Sequence, residues 1–265
     1  MRQFLFRLIL LLLVVLVIFG LYRLLTIRPL DNIAFFQDQP GLAAVDSVRL
    51  AGASAPSLAA FDAARQAGVN GLFLPVDLTR DGVLVVTDSD VSDLALAELA
   101  AVDTFAGAAT LQDALASQPE LRAIVELRQP SLQGVAALLQ AIDANDARGR
   151  VLAVVDHPLL AGILREQAPD LGTATTLAET NAFLATQRFR LTPFYRPAAP
   201  AMLLQASQID RRLVAGAHSR GIHLVALAAG ADAAALQRLV DSGVDGVVVA
   251  DSALLAGLSW PGGAR

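Results

Sequence analysis

From residue 46 onward, apolar and polar positions switch repeatedly between two periods. Short runs rich in Val, Ile and Leu predict strands at 47–50, 71–76, 83–87, 122–127, 151–155, 173–177, 190–193, 223–227 and 246–249. Between them, alanine-rich stretches predict helices at 57–67, 94–101, 111–116, 131–142, 158–167, 178–186, 207–220, 232–242 and 252–258. Strands such as Val151-Leu152-Ala153-Val154-Val155 are apolar throughout, as strands buried on both faces must be. Gly68, Gly221 and Gly243 each follow a helix, where a left-handed residue ends it. The alternation predicts an α/β fold, and the unit count fits a (β/α)8 TIM barrel over 46–265. A doubly wound open sheet is the alternative. Nine strands is one too many for eight. The link between the second and third, 77–82, is also too short for a parallel crossover, so one of that pair falls outside the repeat.

The first 28 residues follow another pattern. Leu8 to Tyr22 carries no charge and is bracketed by Arg7 and Arg23. With snorkelling arginines, a transmembrane helix over 4–27 reaches the roughly 20 residues that a bilayer needs. A cleaved signal peptide is the alternative, but no small-x-small site follows at Phe19-Gly20-Leu21-Tyr22. Residues 1–28 are therefore read as a membrane anchor and 29–45 as a linker. Arg2, Arg7 and the α-amine against Arg23 and Arg28 give a slight positive-inside bias. It places the amino end in the cytoplasm and the barrel on the periplasmic side of an inner, or plasma, membrane.

Composition narrows the chemistry. Hydrophobic residues make up 55% and mean hydropathy is +0.54, partly because of the anchor. All 20 basic residues are Arg, and there is no Cys. That excludes disulfides, a cysteine nucleophile, Cys-ligated metal, a Schiff base and a Walker lysine. Only three His and five Glu are present. A net charge of -5 and few aromatics in the body leave no footprint for nucleic acid.

Residues 49–89 resemble the opening of the glycerophosphodiester phosphodiesterase family. The likeness is carried by Gly52, Leu58-Ala59-Ala60-Phe61, Ala67-Gly68, Gly71-Leu72, Val76, Leu78-Thr79-Arg80-Asp81-Gly82 and Val83-Leu84-Val85-Val86. Glu126-Leu127-Arg128 is similar to that family's Glu-x-Lys strand end, and Ala217-His218-Ser219-Arg220-Gly221 and Gly243-Val244-Asp245-Gly246-Val247 to its last two units. The resemblance implies a barrel with two catalytic histidines and carboxylates around a divalent cation, Mg²⁺ or Ca²⁺. Its first His falls at Leu50, its metal-binding Glu and Asp at Phe73 and Pro75, its second His at Asp88 and the following Asp at Ser89. Of the matched acidic ligands only Glu126 remains.

Leu cannot move a proton, and Phe and Pro offer a cation no side-chain oxygen. Asp77, two residues past Pro75, would share its strand face. A rebuilt site of Asp77, Asp88, Glu126 and His157 is one reading; loop acids and helix caps, with Asp156 before a helix, are the other. His218 and His223 read as packing or surface residues. Asp88-Ser89-Asp90 also resembles the nucleophile loop of haloacid-dehalogenase-like phosphatases, without the rest of that motif. Asp88–Asp93 fails as a calcium loop, with Asp93 and Leu99 where Gly and Glu are required. Arg188, Arg190 and Arg196 flank Phe189, Phe194 and Tyr195, either as ordinary surface residues or as a contact for phosphate headgroups.

These readings combine into a membrane-anchored, catalytically degenerate barrel that binds a phosphate-bearing or lipid ligand or scaffolds a membrane-protein partner, without a resident cofactor. An active, divergent phosphodiesterase using a divalent cation is the alternative.

Overall fold

The computed structural model describes Arg7, residues 10–12, 14, 15 and 30, and residues 33–37, 41–50, 56–105 and 107–260. The anchor expected at 4–27 lies almost wholly outside the described residues; the few described there are helical and exposed. Among the described residues no helix is long and apolar enough to cross a membrane.

Among the described residues, eight parallel strands close into a barrel. They are β1 (Leu42–Asp46), β2 (Gly71–Leu78), β4 (Arg122–Leu127), β5 (Val151–Val155), β6 (Gly172–Thr173), β7 (Ala201–Gln205), β8 (His223–Leu227) and β9 (Gly246–Val249). The order is β6-β5-β4-β2-β1-β9-β8-β7. The bridge between Ala174 and Ala201 closes the ring, with the Thr175 N–H donating to the Ala201 carbonyl at 2.8 Å. β3 (Leu84–Val86) pairs antiparallel with the end of β2, Val76 opposite Val86. The ninth strand is thus the second arm of a hairpin, as the short 77–82 link requires.

The helices are α1 (Ser47–Leu50), α2 (Leu58–Gln66), α3 (Leu96–Leu99), α4 (Leu111–Ser117), α5 (Leu132–Ala144), α6 (Pro158–Gln167), α7 (Leu177–Arg188), α8 (Arg211–His218) and α9 (Ala233–Asp241). Several of their starts are capped by side chains. Ser131, Thr176, Asp210 and Asp232 accept backbone N–H groups of α5, α7, α8 and α9, which satisfies donors a helix start leaves free.

Three strand expectations are corrected. Residues 47–50 form α1, and the first strand lies earlier, at Leu42–Asp46, so the barrel begins inside the stretch read as a linker. Leu42 packs between Gly71 and Gly246; a Cβ on either glycine would stand 2.5 or 2.8 Å from it. The Asn70 side chain bonds the Ala43 N–H and the Gly41 carbonyl. Tertiary pairing therefore makes a strand of an alanine-rich run. Residues 190–193 overlap a 3-10 turn at Thr192–Phe194, and the strand is Ala201–Gln205. Of the run expected at 173–177 only Thr173 is strand, as the second residue of Gly172–Thr173, and Thr176 already caps α7.

Leu42, Ala44, Phe73, Ile124, Leu152, Ala201, Val225 and Val248 fill the lumen with Phe35, so the barrel is a packed core rather than a pore. Residues 33–36 cross its N-terminal end, the floor. Ile33 lies against Gly172 of β6, Phe35 under Arg122 of β4, and Phe36 stacks on His223 of β8 at 4.1 Å between centroids.

Candidate functional site

At the C-terminal mouth, a cavity of about 330 Å³ is lined by Asp46, Val48, Phe73, Pro75, Asp88, Glu126 and Arg128. Each reaches it by its place on the barrel. Asp46 ends β1 in register with Phe73, Pro75 stands opposite Glu126 across the β2–β4 pair, and Asp88 follows β3. Parallel strands point their C-terminal ends at this face, which brings Asp46 and Glu126 there; Asp88 arrives from the antiparallel β3, where the Thr87 N–H bonds the Pro75 carbonyl.

Glu126 is half-buried and accepts no hydrogen bond from a described residue. Burial raises its pKa; Arg128 opposes this, and Asp46 and Asp156 add to it. The carboxyl is therefore an acid in a poorly solvated place with like charges nearby. Asp46 accepts the Val48 N–H at 3.2 Å, and Asp88 is exposed beside Ser89. Among the described residues no three His, Asp or Glu side chains are grouped so as to hold a metal ion. On β2, the two lining positions are Phe73 and Pro75, whose side chains have no oxygen to offer. The donor set does not fit a divalent cation, which wants several oxygens.

The four residues singled out in the sequence part company here. Asp88 and Glu126 share the cavity. Asp77 does not line it: it is buried at 1% exposure, its carboxylate accepting the Leu78 and Val91 N–H groups at 2.9 and 3.3 Å. Burial raises its pKa and those two bonds oppose the rise. Its pairing explains this, because Asp77 lies opposite Val85 of β3, past the point where β2 follows the barrel wall. It pins the loop above β3. His157 is exposed and caps α6, its Nδ1 accepting the Leu160 N–H at 3.4 Å. Asp156 accepts the Leu177 N–H at the start of α7 at 2.7 Å.

Sequence reasoning missed Asp46. The resemblance put the first histidine at Leu50, in the helix after β1, whereas the strand-end side chain in the cavity belongs to Asp46. The signal was present: Leu42-Ala43-Ala44-Val45 is as apolar as β5 and, like it, runs into an aspartate. Arg128, two residues past Glu126, supplies the cavity's cation.

The floor holds a second set of bonded polar groups, from the exposed His218 through the partly buried His223 and Asp245 to the buried Arg122. Asp245 accepts bonds from His218 Nε2 at 2.8 Å, His223 Nδ1 at 2.9 Å and the Leu224 N–H at 2.8 Å. Burial alone would raise the Asp245 pKa, but the two histidine bonds prevail and hold it at about 2. The bond to Asp245 raises that of His218. Arg122 donates to the carbonyls of Phe35 and Gly41, and burial pulls its pKa down to about 10.

No family model matches the chain, and no curated protein matches its sequence. Solved structures do match its fold. A protein of Silicibacter pomeroyi assigned as a glycerophosphoryl diester phosphodiesterase has a TM-score of 0.68 at 19% identity, over 87% of this chain and 100% of that one. The glycerophosphodiester phosphodiesterase of Agrobacterium tumefaciens gives 0.66 at 17%, over 82% and 100%. The Oleispira antarctica phosphodiesterase, in complex with the product sn-glycerol-3-phosphate, gives 0.64 at 16%, over 80% and 93%. The chain therefore has the barrel fold of glycerophosphodiester phosphodiesterases, with a mouth whose second strand presents Phe73 and Pro75.

Proposed function

We propose that this chain is a membrane-anchored, glycerophosphodiester-phosphodiesterase-like barrel that binds rather than hydrolyses, serving as a binding or scaffold domain beside the inner membrane, on its periplasmic side. The observation that carries this reading is the cavity wall. Pro75 lines it opposite Glu126, with Phe73 two residues before on the same strand, and no histidine lies among the lining residues. A phosphodiesterase needs a proton donor, a proton acceptor and charge neutralisation on the phosphoryl oxygens. Loss of one acid–base group alone lowers rates by about 10²–10⁴. Arg128 still offers a phosphate a guanidinium, so a phosphate-bearing headgroup is the ligand class proposed for the mouth, with a membrane protein as the partner of a scaffold.

The test is hydrolysis of glycerophosphodiesters by the full chain with Mg²⁺, Ca²⁺ or Mn²⁺. No turnover is expected, and calorimetry is expected to detect no metal binding. Metal-dependent turnover that Glu126→Ala abolishes overturns the reading. One observation favours an active, divergent phosphodiesterase: Asp46, Asp88 and Glu126 line one cavity, and burial raises the Glu126 pKa, as a general acid requires. The same assay decides between the two.

A further inference from the structure

We propose that the floor of the barrel lies against an anionic bilayer, seated there by the loop of residues 188–196, so that the mouth faces away from the membrane. The inference rests on the anchor proposed above and adds an orientation and a lipid-contacting surface. The 188–196 loop leaves the C-terminal end of α7 and leads back towards β7, so it belongs to the floor. Phe189, Leu191 and Phe194 are 69%, 48% and 46% exposed, an unusual density of large apolar side chains facing water in one short loop. Arg188, Arg190 and Arg196 stand among them, all exposed, and none is ion-paired with a described acid. Of the acids at the helix ends on this side, Asp143 and Asp170 are paired with Arg148 and Asp245 with its two histidines, while Glu120, Asp146 and Glu166 are exposed.

The path of the chain points to the same face. The Leu30 N–H donates to the Arg220 carbonyl at 3.2 Å, and Arg220 Nη1 donates to the Pro193 carbonyl at 2.8 Å. Leu30 is thus fastened to the floor beside the exposed loop. A span ending at Ile27 leaves three residues, a reach of roughly 10 Å. The headgroup layer of one leaflet is roughly 5–8 Å thick. The floor therefore cannot stand far from the lipid, and apolar side chains among arginines fit its interface. Each arginine held near an anionic surface strengthens association about fivefold, whereas the acidic mouth would be repelled. One consequence concerns the ligand: it reaches the mouth from the aqueous side.

The chain has no cysteine, so single cysteines report without background. The full chain is reconstituted in vesicles of phosphatidylcholine with or without phosphatidylglycerol, with a fluorophore on Phe189→Cys at the floor or Leu159→Cys near the mouth. Nitroxide-labelled lipid is expected to quench the floor label, more so with phosphatidylglycerol, and to leave the mouth label unquenched. Changing Arg188, Arg190 and Arg196 together to Gln is expected to cut the floor quenching while flotation with vesicles persists. Equal quenching at both sites, an unquenched floor label on a chain that floats, or no effect of the arginine changes overturns the orientation and leaves the anchor standing. A chain that does not float overturns both.

Discussion

Strand β4 carries a charged residue near each end, and the two are treated differently. At the floor, Arg122 is 5% exposed, gives two hydrogen bonds to backbone carbonyls and lies over the Phe35 ring at 5.8 Å. At the mouth, Glu126 is half-buried, stands among Arg128, Asp46 and Asp156, and accepts no bond from a described residue. A buried charge is stable only when its bonds are made. The floor therefore uses the Arg122 guanidinium to fasten the chain through its two Nη groups, and the mouth leaves the Glu126 carboxyl without a bond from a described residue. Unsatisfied groups in a concave site are available to a ligand; satisfied ones are available only to the fold.

The largest expected difference comes from emptying the floor. Phe35 is 2% exposed and closes the lumen, so Phe35→Ala is expected to destabilise by about 3–5 kcal/mol in urea denaturation. Arg122→Met leaves the Phe35 carbonyl without this donor and the Gly41 carbonyl with Asn70 alone, with an expected loss of about 1–3 kcal/mol. The matching change at the mouth, Arg128→Met, removes an exposed side chain and is expected to stay within about 0.5 kcal/mol. Equal losses at Arg122 and Arg128 would erase the contrast.

The floor also has a pH signature. The Asp245 pKa is held at about 2, so its contribution, on the order of 2 kcal/mol, is complete above the unfolded value near 4 and is lost as pH falls through about 2. The His218 pKa is raised. Its contribution is complete below the unfolded value near 6.5 and is lost as pH rises through the folded one. The cluster therefore stabilises most between about pH 4 and 6.5. Asp245→Asn is expected to narrow the gap between unfolding midpoints at pH 5.5 and pH 8. An unchanged gap would remove the cluster from the account.

Helices were easier to read in the sequence than strands. Pro158 fixes the start of α6, and Gly68, Gly221 and Gly243 take positive φ of 84°, 71° and 94°, as helix ends require. The strand Ala201–Gln205 was hidden because Ala, Met, Leu and Gln favour helix in isolation; pairing with β8 overrides this. In the site, Asp88 and Glu126 were legible as strand-end residues. Asp77 was not, because the period-two rule holds only while a strand stays in the barrel wall, and β2 turns there to pair with β3. The Asp245 cluster was invisible for another reason. His218 and His223 meet Asp245 across more than 20 positions of chain, and no local spacing announces such a contact.

Arg190 sharpens the comparison from the floor side. It has φ +58°, and the Leu191 N–H closes the end of α7 on the Thr186 carbonyl at 2.7 Å. Glycine is the usual residue there, and a side-chain-bearing residue in that conformation costs about 1–2 kcal/mol. Arg190→Gly is therefore expected to stabilise the fold by about 1 kcal/mol while weakening contact with anionic vesicles. Denaturation midpoint and floor-label quenching should move in opposite directions. A variant that loses stability would mean that the arginine is kept for packing instead.

The smallest expected effect tests the mouth itself. Burial raises the Glu126 pKa, so folding favours its protonated form. That preference is neutral for stability below the unfolded value near 4.3 and becomes a penalty as pH rises through the folded value. Glu126→Gln keeps the shape and removes the charge. At neutral pH it is expected to stabilise the barrel by less than about 1 kcal/mol, and at pH 3.5 to differ little from the parent. A carboxylate that served as a cation ligand would behave in the opposite way. Its parent chain would gain stability when Mg²⁺ or Ca²⁺ is added, by linkage to binding, and the Gln variant would not. Midpoints measured with and without the cation, at both pH values, separate an acid left unpaired in a binding mouth from the last ligand of a working metal site.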